Sequence, residues 1–548
     1  MRQLLQVIDS GTEIAERFLL LLPVRAEERT EGPSDAAKQA GKNMAMLARR
    51  CSAYNEAVTT ETAGHEDDGR ERPRRLRILF FAHNLGKTRH FDGVLQRLVK
   101  RGHTITLATA AKKGGLKPAK IPGTAGRIET VACPVRRVDR WKALAPSLRL
   151  VRDYLRFFEP AYSNAGKLSQ RAASYTPESW RALIERRPWI QRHAHAIGRL
   201  LALAEAALPP DKYFELFIKY HEPDLVMVTP LVDFGSYQTD YVKAAHRLGI
   251  PVAFVPFSWD NLTNRGLIRV QPDRVLVWND IQKDEAVRLH GIAPESVVIT
   301  GAARFDEFYA LEVSTTREAF CASVGLDPAR PILLYGCSSP FVAPEEVAFV
   351  RRWIEELRAS SDPLLATANI LVRPHPVHED QWEGVSFDDL PNVTIWRLPT
   401  TMNSDQGLYD SLYHSAALVG LNTSAMLEAS IVGRPVLTIL SSDHQGGQAQ
   451  TLHFQYLRYE NGGPVTVAKD FAEHRQQLEY VLHHPEKAMK RASKFATRFT
   501  RPNGPYRRVD PFVVHELEQT ALMRKRPRLS APWQYPVRWA LRLAPGAR

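Results

Sequence analysis

The chain has 548 residues, of which 44% are hydrophobic and 24% are charged. This apolar content is enough to order most of the chain, so it excludes a wholly disordered or fibrous protein, and the length predicts roughly two to four domains. The 73 Lys and Arg residues outnumber the 60 Asp and Glu residues and give a net charge of +13. This excess keeps nucleic acid, anionic lipid and phosphate-bearing substrates open as partners.

The cysteines and the apolar runs narrow the class of protein. Cys51, Cys133, Cys321 and Cys337 form no CxxC pair, and no histidine completes a zinc box, so neither disulfide nor metal scaffolding is predicted. Residues 18–24 are apolar, but acidic residues precede them and no small-residue cleavage site follows, which argues against a signal peptide. No apolar run reaches the roughly 18 residues of a membrane span. We therefore expect a cytoplasmic protein.

The first predicted domain begins after a polar stretch. Residues 1–73 end in charges without apolar periodicity, which predicts a poorly structured extension and linker. The apolar run Arg77–Asn84 predicts a strand, the spacing of apolar residues from Phe91 to Val99 predicts a helix, and Thr104–Ala110 predicts a second strand. Together these elements form a βαβ unit that opens a parallel sheet.

Strands and helices continue to alternate along the chain. In the first half we expect strands over 224–230, 251–257, 274–280 and 296–302, and helices over 236–248 and 281–289. In the second half we expect strands over 331–339, 370–376, 393–396, 416–421 and 435–440, and helices over 344–359 and 424–432. This alternation predicts an α/β protein with two parallel sheets and a cleft between them.

The domain boundaries follow from this order of elements. The first domain is expected over 74–315, with an Arg-rich helical insertion at about 136–210, and the second domain over 316–500. A helix over 501–522 is expected to cross back onto the first domain, and a basic aromatic tail occupies 523–548. Ligands of such folds bind beyond the carboxyl ends of the strands, so the loops at those ends are where we look for chemistry.

Polar residues follow the first predicted strand. The loop and the helix start after it contain His83, Asn84, Lys87, Arg89, His90 and Asp92. The Gly86-Lys87-Thr88 triplet is not a Walker A motif, because the glycine needed five positions earlier is Phe81, inside the strand. A helix start can bind an anionic group and present a histidine as general base. An ordinary surface loop, with Asp92 as a first-turn acid, is the alternative.

Two further loops of the first half carry candidate binding residues. The loop 257–266 surrounds an aromatic ring with polar groups, chiefly Trp259, Asp260 and Asn261. It suits a hydroxyl-rich ligand stacked on the ring or, equally, a series of Asx turns. The stretch 301–306 offers Gly301, Arg304 and Asp306. Its arginine and aspartate could contact a ligand or pair with each other at the domain hinge.

Three loops of the second half are suited to a phosphate-bearing ligand. One predicted strand ends in Ser338 and Ser339, and another ends in the Arg-Pro-His-Pro loop, which fixes Arg373 and His375. A guanidinium and an imidazole held there could neutralise a leaving diphosphate. The third loop opens a helix with Asn422, Thr423 and Ser424, and Glu428 follows one turn later. A plain turn at His375 and plain helix capping at Ser424 remain the alternatives.

The combination of these motifs resembles the GT-B glycosyltransferases, which have two Rossmann-like domains, and within them the bacterial surface-polysaccharide and CDP-glycerol glycerophosphotransferase type. The resemblance rests on Gly301–Asp306, similar to that family's G-x-P-R-x-D, on Arg373–Pro376, and on Asn422–Val436. The opening from Arg77 is similar to the acceptor domain of many GT-B enzymes, and the likeness extends to about Arg501. Two departures are Ala303 in place of the usual proline and Asn-Thr-Ser in place of the usual Asp-Tyr-Ser-Ser.

The resemblance implies a role for each candidate residue. The catalytic candidates are His90, Asp92 and His375. The donor-binding candidates are Gly301, Arg304, Asp306, Ser338, Ser339, Arg373, Asn422, Thr423, Ser424 and Glu428, with Glu428 placed at the donor's ribose or sugar. The acceptor-binding candidates are His83, Asn84, Lys87, Arg89, Trp259, Asp260 and Asn261. GT-B enzymes generally need no bound metal, and no cofactor beyond the nucleotide-activated donor is expected.

The implied function is transfer of a sugar or glycerophosphate from a nucleotide-linked donor to a cell-surface glycan or lipid-linked acceptor. A nucleotide-sugar 2-epimerase, or a non-catalytic nucleotide-binding component of a polysaccharide assembly complex, is the alternative. An epimerase needs acid and base groups at one sugar carbon but no acceptor. A non-catalytic component would bind nucleotide without turnover.

The excess positive charge is concentrated in two segments. Residues 136–200 contain 12 Arg and 2 Lys against 5 acids, and the tail 523–548 contains 7 basic residues and no acid. Interleaved Trp533, Tyr535 and Trp539 suit contact with an anionic membrane at the inner face of the cell, although a merely solubilising tail is the alternative. No recognition motif accompanies the charge, so nucleic acid is not expected as a partner.

Overall fold

A computed structural model describes residues 74–110, 119, 121–124, 126–397, 404–523 and 525–543. The predicted extension over residues 1–73 lies outside the described residues. The described chain forms two compact units. Unit 1 runs through Ser163, continues from Ser169 to Ala303 and resumes at Val509, whereas unit 2 comprises Asn164–Leu168 and Arg304–Arg508.

Unit 1 is built on a seven-stranded parallel sheet. Its strands are β1 (Arg77–Ala82), β2 (Thr104–Thr109), β3 (Ile128–Ala132), β4 (Leu225–Thr229), β5 (Val252–Phe254), β6 (Arg274–Val277) and β7 (Val297–Ile299). They lie in the order β3-β2-β1-β4-β5-β6-β7. The central strand pairs with both neighbours in register, since Ile78 lies opposite Ile105 on one side and Leu225 on the other. The central strand is mainly apolar because helices cover both faces of such a sheet.

The helices of unit 1 comprise those that cover the two faces of this sheet and those of the insertion, one of which begins in unit 2. They are α1 (Asp92–Lys100), α2 (Leu144–Leu155), α3 (Gly166–Tyr175), α4 (Glu178–Glu185), α5 (Ala194–Ala207), α6 (Lys212–His221), α7 (Gln238–Arg247) and α8 (Asp280–His290), with short helices over Leu85–Thr88 and Pro188–Arg192. Alternate residues of β1 face opposite cores. Leu79 and Phe81 pack in the core that includes Phe214 and Tyr241, and Ile78 and Phe80 pack in the core that includes Leu95.

Unit 2 repeats the same design. Its strands are β8 (Ile332–Gly336), β9 (Asn369–Arg373), β10 (Val393–Ile395), β11 (Ala417–Val419), β12 (Val436–Ile439) and β13 (Val465–Ala468), in the order β10-β9-β8-β11-β12-β13, all parallel. The helices of this part of the chain are α9 (Arg317–Val324), α10 (Val347–Arg358), α11 (Ser404–His414), α12 (Ala425–Val432), α13 (Phe471–His483) and α14 (Glu486–Thr500), with short helices over Asp306–Tyr309, Pro363–Ala366 and Leu452–Leu457. The predicted fold class, two Rossmann-like α/β domains, is confirmed.

The chain returns to unit 1 after Arg508 and forms α15 (Asp510–Ala521) and α16 (Gln534–Arg542). Helix α15 is fixed to the α1 region by ion pairs. Arg97 Nε lies 2.8 Å from Asp510 Oδ2, and Glu518 Oε1 lies 2.6 Å from Arg101 Nε and 2.8 Å from His103 Nε2. The helix expected at the end of the second domain therefore belongs to the first sheet's core, through Val513 and Leu517.

The segment between α15 and α16 lies against the turn after α7. Lys525 N donates to Gly249 O at 3.3 Å, and the Lys525 ammonium lies 2.7 Å from Asp273 Oδ1. Gly249 has a φ of 74°, and a Cβ there would lie 2.3 Å from Lys525 O, so only glycine fits under this crossing. Helix α16 then packs along α5, where Gln534 Nε2 donates to Ala206 O at 2.9 Å.

The helical insertion is confirmed, and a buried charge network fixes it to the sheet. Arg149 of α2 donates to both carboxylate oxygens of Glu205 in α5 at 3.0 Å and to those of Asp240 in α7 at 2.7 and 2.9 Å. Arg137 also reaches Asp240, and the Lys243 ammonium lies 3.1 Å from Glu205. Because all five side chains are buried, each charge depends on its partners for the solvation that it has lost.

Three details differ from the sequence-based expectations. The patterns did not predict the edge strands β3 and β13, whose residues alternate with polar or half-buried positions. The division between the units falls after Ala303 rather than at 315. The reason is that the following segment is bonded into unit 2, where Asp306 accepts from Arg501 at 3.0 Å and the Tyr309 hydroxyl lies 2.9 Å from that of Thr500.

Replacing Arg149 with Met should lower the free energy of unfolding by about 3–5 kcal/mol, because it leaves Glu205 and Asp240 buried with less compensation. The matched control is Arg288→Met. Arg288 pairs with Asp284 on the exposed face of α8, and its loss should cost less than about 1 kcal/mol. Urea denaturation of the two variants checks this, and equal losses would contradict the role assigned to the network.

Candidate functional site

Both sheets reverse their strand order at one place, and candidate residues lie there. In unit 1 the reversal falls between β1 and β4, and in unit 2 it falls between β8 and β11. The connections on the two sides of such a point run in opposite directions, so the loops at the carboxyl ends separate and leave a crevice. These two crevices, one in each unit, are the candidate acceptor site and the candidate donor site.

In unit 1 the reversal point brings together a histidine and a carboxylate. His83 follows β1 and is half exposed, and its Nδ1 lies 3.2 Å from Oδ2 of Asp233, which follows β4. Arg265 donates to the other oxygen of Asp233. A histidine oriented by a carboxylate is the pairing that a general base requires. The sequence predicts His83 but not Asp233, for which the available signal is the turn residues at 233–236 after a buried strand.

The remaining candidates of the first loop lie on short helical segments. Lys87 is in the helix Leu85–Thr88, and Arg89 and His90 are in the 3-10 turn that follows it. The His90 ring is stacked on Phe257, with centroids 5.6 Å apart and planes 11° apart. Asp92 is the first residue of α1, where a carboxylate favours the helix dipole. Asn84 precedes the short helix, directly after His83.

The loop 257–266 forms turns whose polar side chains bond within the loop, which is the second of the two possibilities that the sequence offered. Asn261 is fully buried, and its Oδ1 accepts from the Phe257 and Ser258 amides at 3.0 and 3.2 Å. Trp259 is only 5% exposed, so it does not offer the stacking face that was predicted for the acceptor. The Asp260 carboxylate accepts from the Asn264 side chain. The sequence could not show that these residues are structural, because a ligand-binding loop and a series of self-bonded turns have the same polar composition.

In unit 2 a buried glutamate organises the loop after β8. Glu346, at the start of α10, accepts from the Tyr335 hydroxyl at 3.0 Å and from the Ser338 amide at 2.8 Å. Burial raises the pKa of Glu346 to about 7, against these hydrogen bonds. The Ser338 hydroxyl is buried beside Glu346, to which it also bonds, and Ser339 is half-buried. No sequence pattern had indicated Glu346.

The loop after β11 is supported by a second loop that the sequence analysis missed. Asn422 Nδ2 donates to Gly447 O at 2.8 Å, so this side chain fixes the neighbouring loop rather than facing a ligand. Gln448 in turn donates to Leu421 O at 3.0 Å. Thr423 Oγ1 accepts from the Ala425 amide at 3.4 Å, while Ser424 is exposed at the start of α12. The polar run 441–448 directly after β12 was the available signal.

Glu428 is a buried carboxyl among the predicted donor residues. It lies on α12, is 5% exposed, and its Oε1 is 3.5 Å from Arg304 Nη2. Burial raises the pKa of the Glu428 carboxyl to about 7, and Arg304 opposes the rise. Its Oε2 is buried without a hydrogen-bond partner among the described residues. Arg304 is therefore the ion-pair partner of Glu428.

Two other predicted donor residues have structural surroundings. Asp306 is 2% exposed and accepts from Arg501, whose guanidinium lies 3.7 Å from the Tyr309 ring centre, so its carboxylate is held inside unit 2. Gly301 belongs to unit 1 and has a φ of 103°, which favours glycine. The prediction that Asp306 contacts the donor is not supported by this burial.

The loop after β9 places Arg373 and His375 at the carboxyl edge, as the strand direction requires. Arg373 Nη1 donates to Ser411 Oγ at 2.8 Å, and its guanidinium lies 5.0 Å from the Trp396 ring centre. Burial lowers the pKa of Arg373 to about 10. His375 is half-buried, its Nδ1 accepts from the Val377 amide at 3.3 Å, and burial with the nearby His378 lowers its pKa.

Two of the buried polar atoms that have no partner within the described residues lie at this edge of unit 2, and others occur elsewhere in the chain. The two are Glu428 Oε2 and Nδ1 of His444 in the loop after β12. Such atoms are rare in native proteins and need an explanation, of which a ligand is one. Across the part of the chain that is described, no group of three His, Cys, Asp or Glu side chains is placed to hold a metal ion.

The chain has been compared with known proteins. No protein-family model and no curated protein matches it. It is similar to the UDP-GlcNAc 2-epimerase from Neisseria meningitidis bound to UDP-GlcNAc, with 13% identity and a TM-score of 0.45 over 81% of this chain and 100% of that one. It is also similar to a glycosyltransferase from Rickettsia africae, with 10% identity and a TM-score of 0.46 over 82% and 99%. These similarities assign no residue and no reaction to this chain.

Replacing Glu428 with Gln should change how stability depends on pH. Because the pKa of Glu428 is raised to about 7, the native protein holds a proton that the unfolded chain has already lost above about pH 4.5. The group's contribution to the free energy of unfolding therefore falls as pH rises from about 4.5 to 7, by roughly 3 kcal/mol, and is constant above that. Urea denaturation from pH 5 to 8 should show a smaller fall for Glu428→Gln. An unchanged pH profile would contradict the raised pKa.

Proposed function

We propose that the protein transfers a sugar or glycerophosphate from a nucleotide-activated donor to a cell-surface glycan or lipid-linked acceptor. The observation that carries the proposal is Glu428, a buried carboxyl with one unpartnered oxygen, at the strand-order reversal of unit 2. An ionised carboxylate there would accept hydrogen bonds from a pair of ribose or sugar hydroxyls. Such bonds would offset the cost of burying the charge.

We propose that the neighbouring loops hold the donor's diphosphate. Ser424 is exposed at the start of α12, where amide N–H groups and the helix dipole favour an anion. Thr423 and Ser338 add hydroxyls at the same edge, and His375 lies on the adjoining loop. Arg373 would add positive charge from its half-buried position. These groups would stabilise the nucleotide as it leaves, with no bound metal.

We propose His83 as the general base for the acceptor hydroxyl. Asp233 orients its imidazole and would stabilise the imidazolium that forms when the hydroxyl proton is taken. His90, stacked on Phe257, would border the acceptor. The sequence favoured His90 as the base, with Asp92 beside it, and His83 is preferred now because of its carboxylate partner.

An epimerase remains the second candidate, because a histidine and a carboxyl with a pKa near 7 could also serve proton transfer at one sugar carbon. The two reactions differ in what they need. Transfer requires an acceptor and releases nucleotide, whereas epimerisation isomerises the nucleotide sugar alone. A non-catalytic protein would bind nucleotide and do neither.

The first test is a screen of UDP-, GDP-, CDP- and CMP-linked donors by thermal stabilisation, followed by turnover with and without acceptor glycans. A bound donor should raise the melting temperature, and the Glu428→Gln variant should lose most of this rise. His83→Asn should retain binding and lose transfer by roughly 100-fold or more.

His193→Asn is the control for the histidine substitution, because that side chain is exposed on the insertion and should leave turnover unchanged. Isomerisation without acceptor would favour the epimerase, and binding with neither reaction would favour the non-catalytic protein. Loss of activity in a His90→Asn variant but not in His83→Asn would show that the base was assigned to the wrong histidine.

We propose that the protein meets an anionic membrane surface, at the inner face of the cell membrane, through α16. The helix packs on α5 through Gln534, Arg538 and Leu541, whereas Tyr535, Trp539 and Leu543 face solvent at 59%, 65% and 68% exposure. Arg538 donates to the carbonyl of Ala207, so the polar side is the one turned inward. An outward aromatic stripe beside exposed arginines suits the lipid headgroup region and not mere solubility.

No helix of the described residues is long and apolar enough to cross a membrane.

Vesicle sedimentation tests this surface. The protein should bind vesicles of phosphatidylglycerol and phosphatidylcholine more tightly than phosphatidylcholine alone, and Trp539→Ser with Leu543→Ser should weaken binding about tenfold, or about 1.4 kcal/mol. Tyr506→Ser, at an exposed site in unit 2, is the control. Unchanged binding by the double variant would overturn the membrane role of α16.

A further inference from the structure

A cavity of about 750 Å³ lies at the amino edge of the sheet of unit 2. It is bordered by the starts of β8 and α9, by the end of α11 and by the segment before β12. The lining residues are Val313–Arg317, Pro331, Ile332, Tyr413–Ala416 and Arg434. The candidate donor loops all follow carboxyl ends of strands, so this cavity is at the other edge of the sheet and is separate from them.

The cavity is lined by positive charge. Two arginines contribute to its wall, and no Asp or Glu is among its lining residues. Arg317 donates to three carbonyl oxygens, those of Pro328 and His414 at 2.8 Å and that of Arg330 at 2.5 Å. These bonds fix the guanidinium without neutralising it. The cavity therefore carries the charge of Arg317 in a fixed position.

Arg434 has fewer hydrogen-bond partners than Arg317. Its Nε is buried without a hydrogen-bond partner, and no ion pair is found for it among the residues described. Its guanidinium carbon lies 5.4 Å from the ring centre of Tyr413, which is 41% exposed. A half-buried guanidinium without a carboxylate is costly unless something else compensates it.

Nearby acidic residues do not supply that compensation. The Asp410 carboxylate accepts from the Ser314 amide at 3.0 Å and from the Ser314 hydroxyl at 2.5 Å, so both of its oxygens are occupied at the loop. Glu318 on α9 is exposed to solvent, and its carboxylate interacts with Thr316 and Arg317 rather than with Arg434. An anion that enters the cavity would therefore share Arg317 with Glu318 but would meet Arg434 without a competing carboxylate.

We propose that this cavity binds a small phosphate-bearing anion. Arginine is the side chain best suited to phosphate oxygens, and hydroxyls complete such sites. Thr316 Oγ1 accepts from the Ala319 amide at 3.3 Å as the cap of α9, and its proton is donated to Glu318, so an anion would compete with that carboxylate for this hydroxyl. The start of α9 adds the positive end of its dipole. The exposed ring of Tyr413 could stack on a base if the anion is a nucleotide.

The proposed anion site is also joined along the chain to α12. Arg434 lies two residues after the end of α12, the helix that carries Glu428. An anion held by Arg434 would restrain that end of the helix. Binding at one edge of the sheet would then change affinity at the other, and such coupling is reciprocal.

Calorimetric titration with inorganic pyrophosphate and, separately, with UDP tests the proposal. Pyrophosphate should bind the wild-type protein saturably, Arg434→Gln should weaken this binding at least tenfold, and Arg434→Lys should weaken it less because the charge is kept. Ser424→Ala, at the donor loop, should leave this site unchanged. The matched control is Arg351→Gln. Arg351 lies on α10 and is paired with Asp389, so this variant should bind pyrophosphate as the wild type does.

The outcomes separate this site from the proposed donor site. Tighter binding of UDP than of pyrophosphate, lost in Arg434→Gln, would identify a nucleotide as the occupant, and equal binding would identify the phosphate group alone. Pyrophosphate that binds Arg434→Gln as tightly as wild type, or that binds no variant, would overturn the proposal. A lower melting temperature of Arg434→Gln without any loss of binding would show that Arg434 only packs on Tyr413.

Discussion

The reversal of strand order in each parallel sheet is the constraint on which the rest of this structure depends. Parallel strands need crossover helices, and these cover both faces, so the middle of each central strand is mainly apolar. Chemistry can then lie only where strands end. In both units the first strand and the fourth are neighbours, and the loops that follow them carry His83 and Asp233 in one unit and Ser338 and Ser424 in the other.

Burial of charge has two different outcomes in this protein. Arg149, Glu205 and Asp240 are buried together, and each carboxylate oxygen is bonded, so their ionised forms are compensated and the network holds the insertion in place. Glu346 is bonded only by neutral donors, and Glu428 has only Arg304 at 3.5 Å, so the pKa of each rises to about 7. A carboxyl that changes charge near neutral pH is suited to a reaction or to a ligand.

The candidate site was predictable in part. The strand ends at Arg373, Ser338 and Asn422 could be found from sequence because hydrophobic runs and the polar breaks after them are local signals. The partners of these residues could not, since they come from distant loops: Arg373 is bonded to Ser411 in α11, and Asn422 to Gly447. For the same reason the sequence could not distinguish Trp259 as a ligand platform from Trp259 as a buried ring.

The amino-acid sequence by itself determined two α/β domains, the insertion within the first of them and the positions of most strands, because alternating apolar segments and turn residues act over a few neighbours. It also located the charge, in the insertion and in the tail. Only the tertiary structure decided what that charge does. Arg149 of the insertion is buried among carboxylates, while Trp539 of the tail is left facing solvent. Composition gives the number of charges, but the field that each one experiences depends on residues about 50 to 100 positions away, which only folding brings into contact.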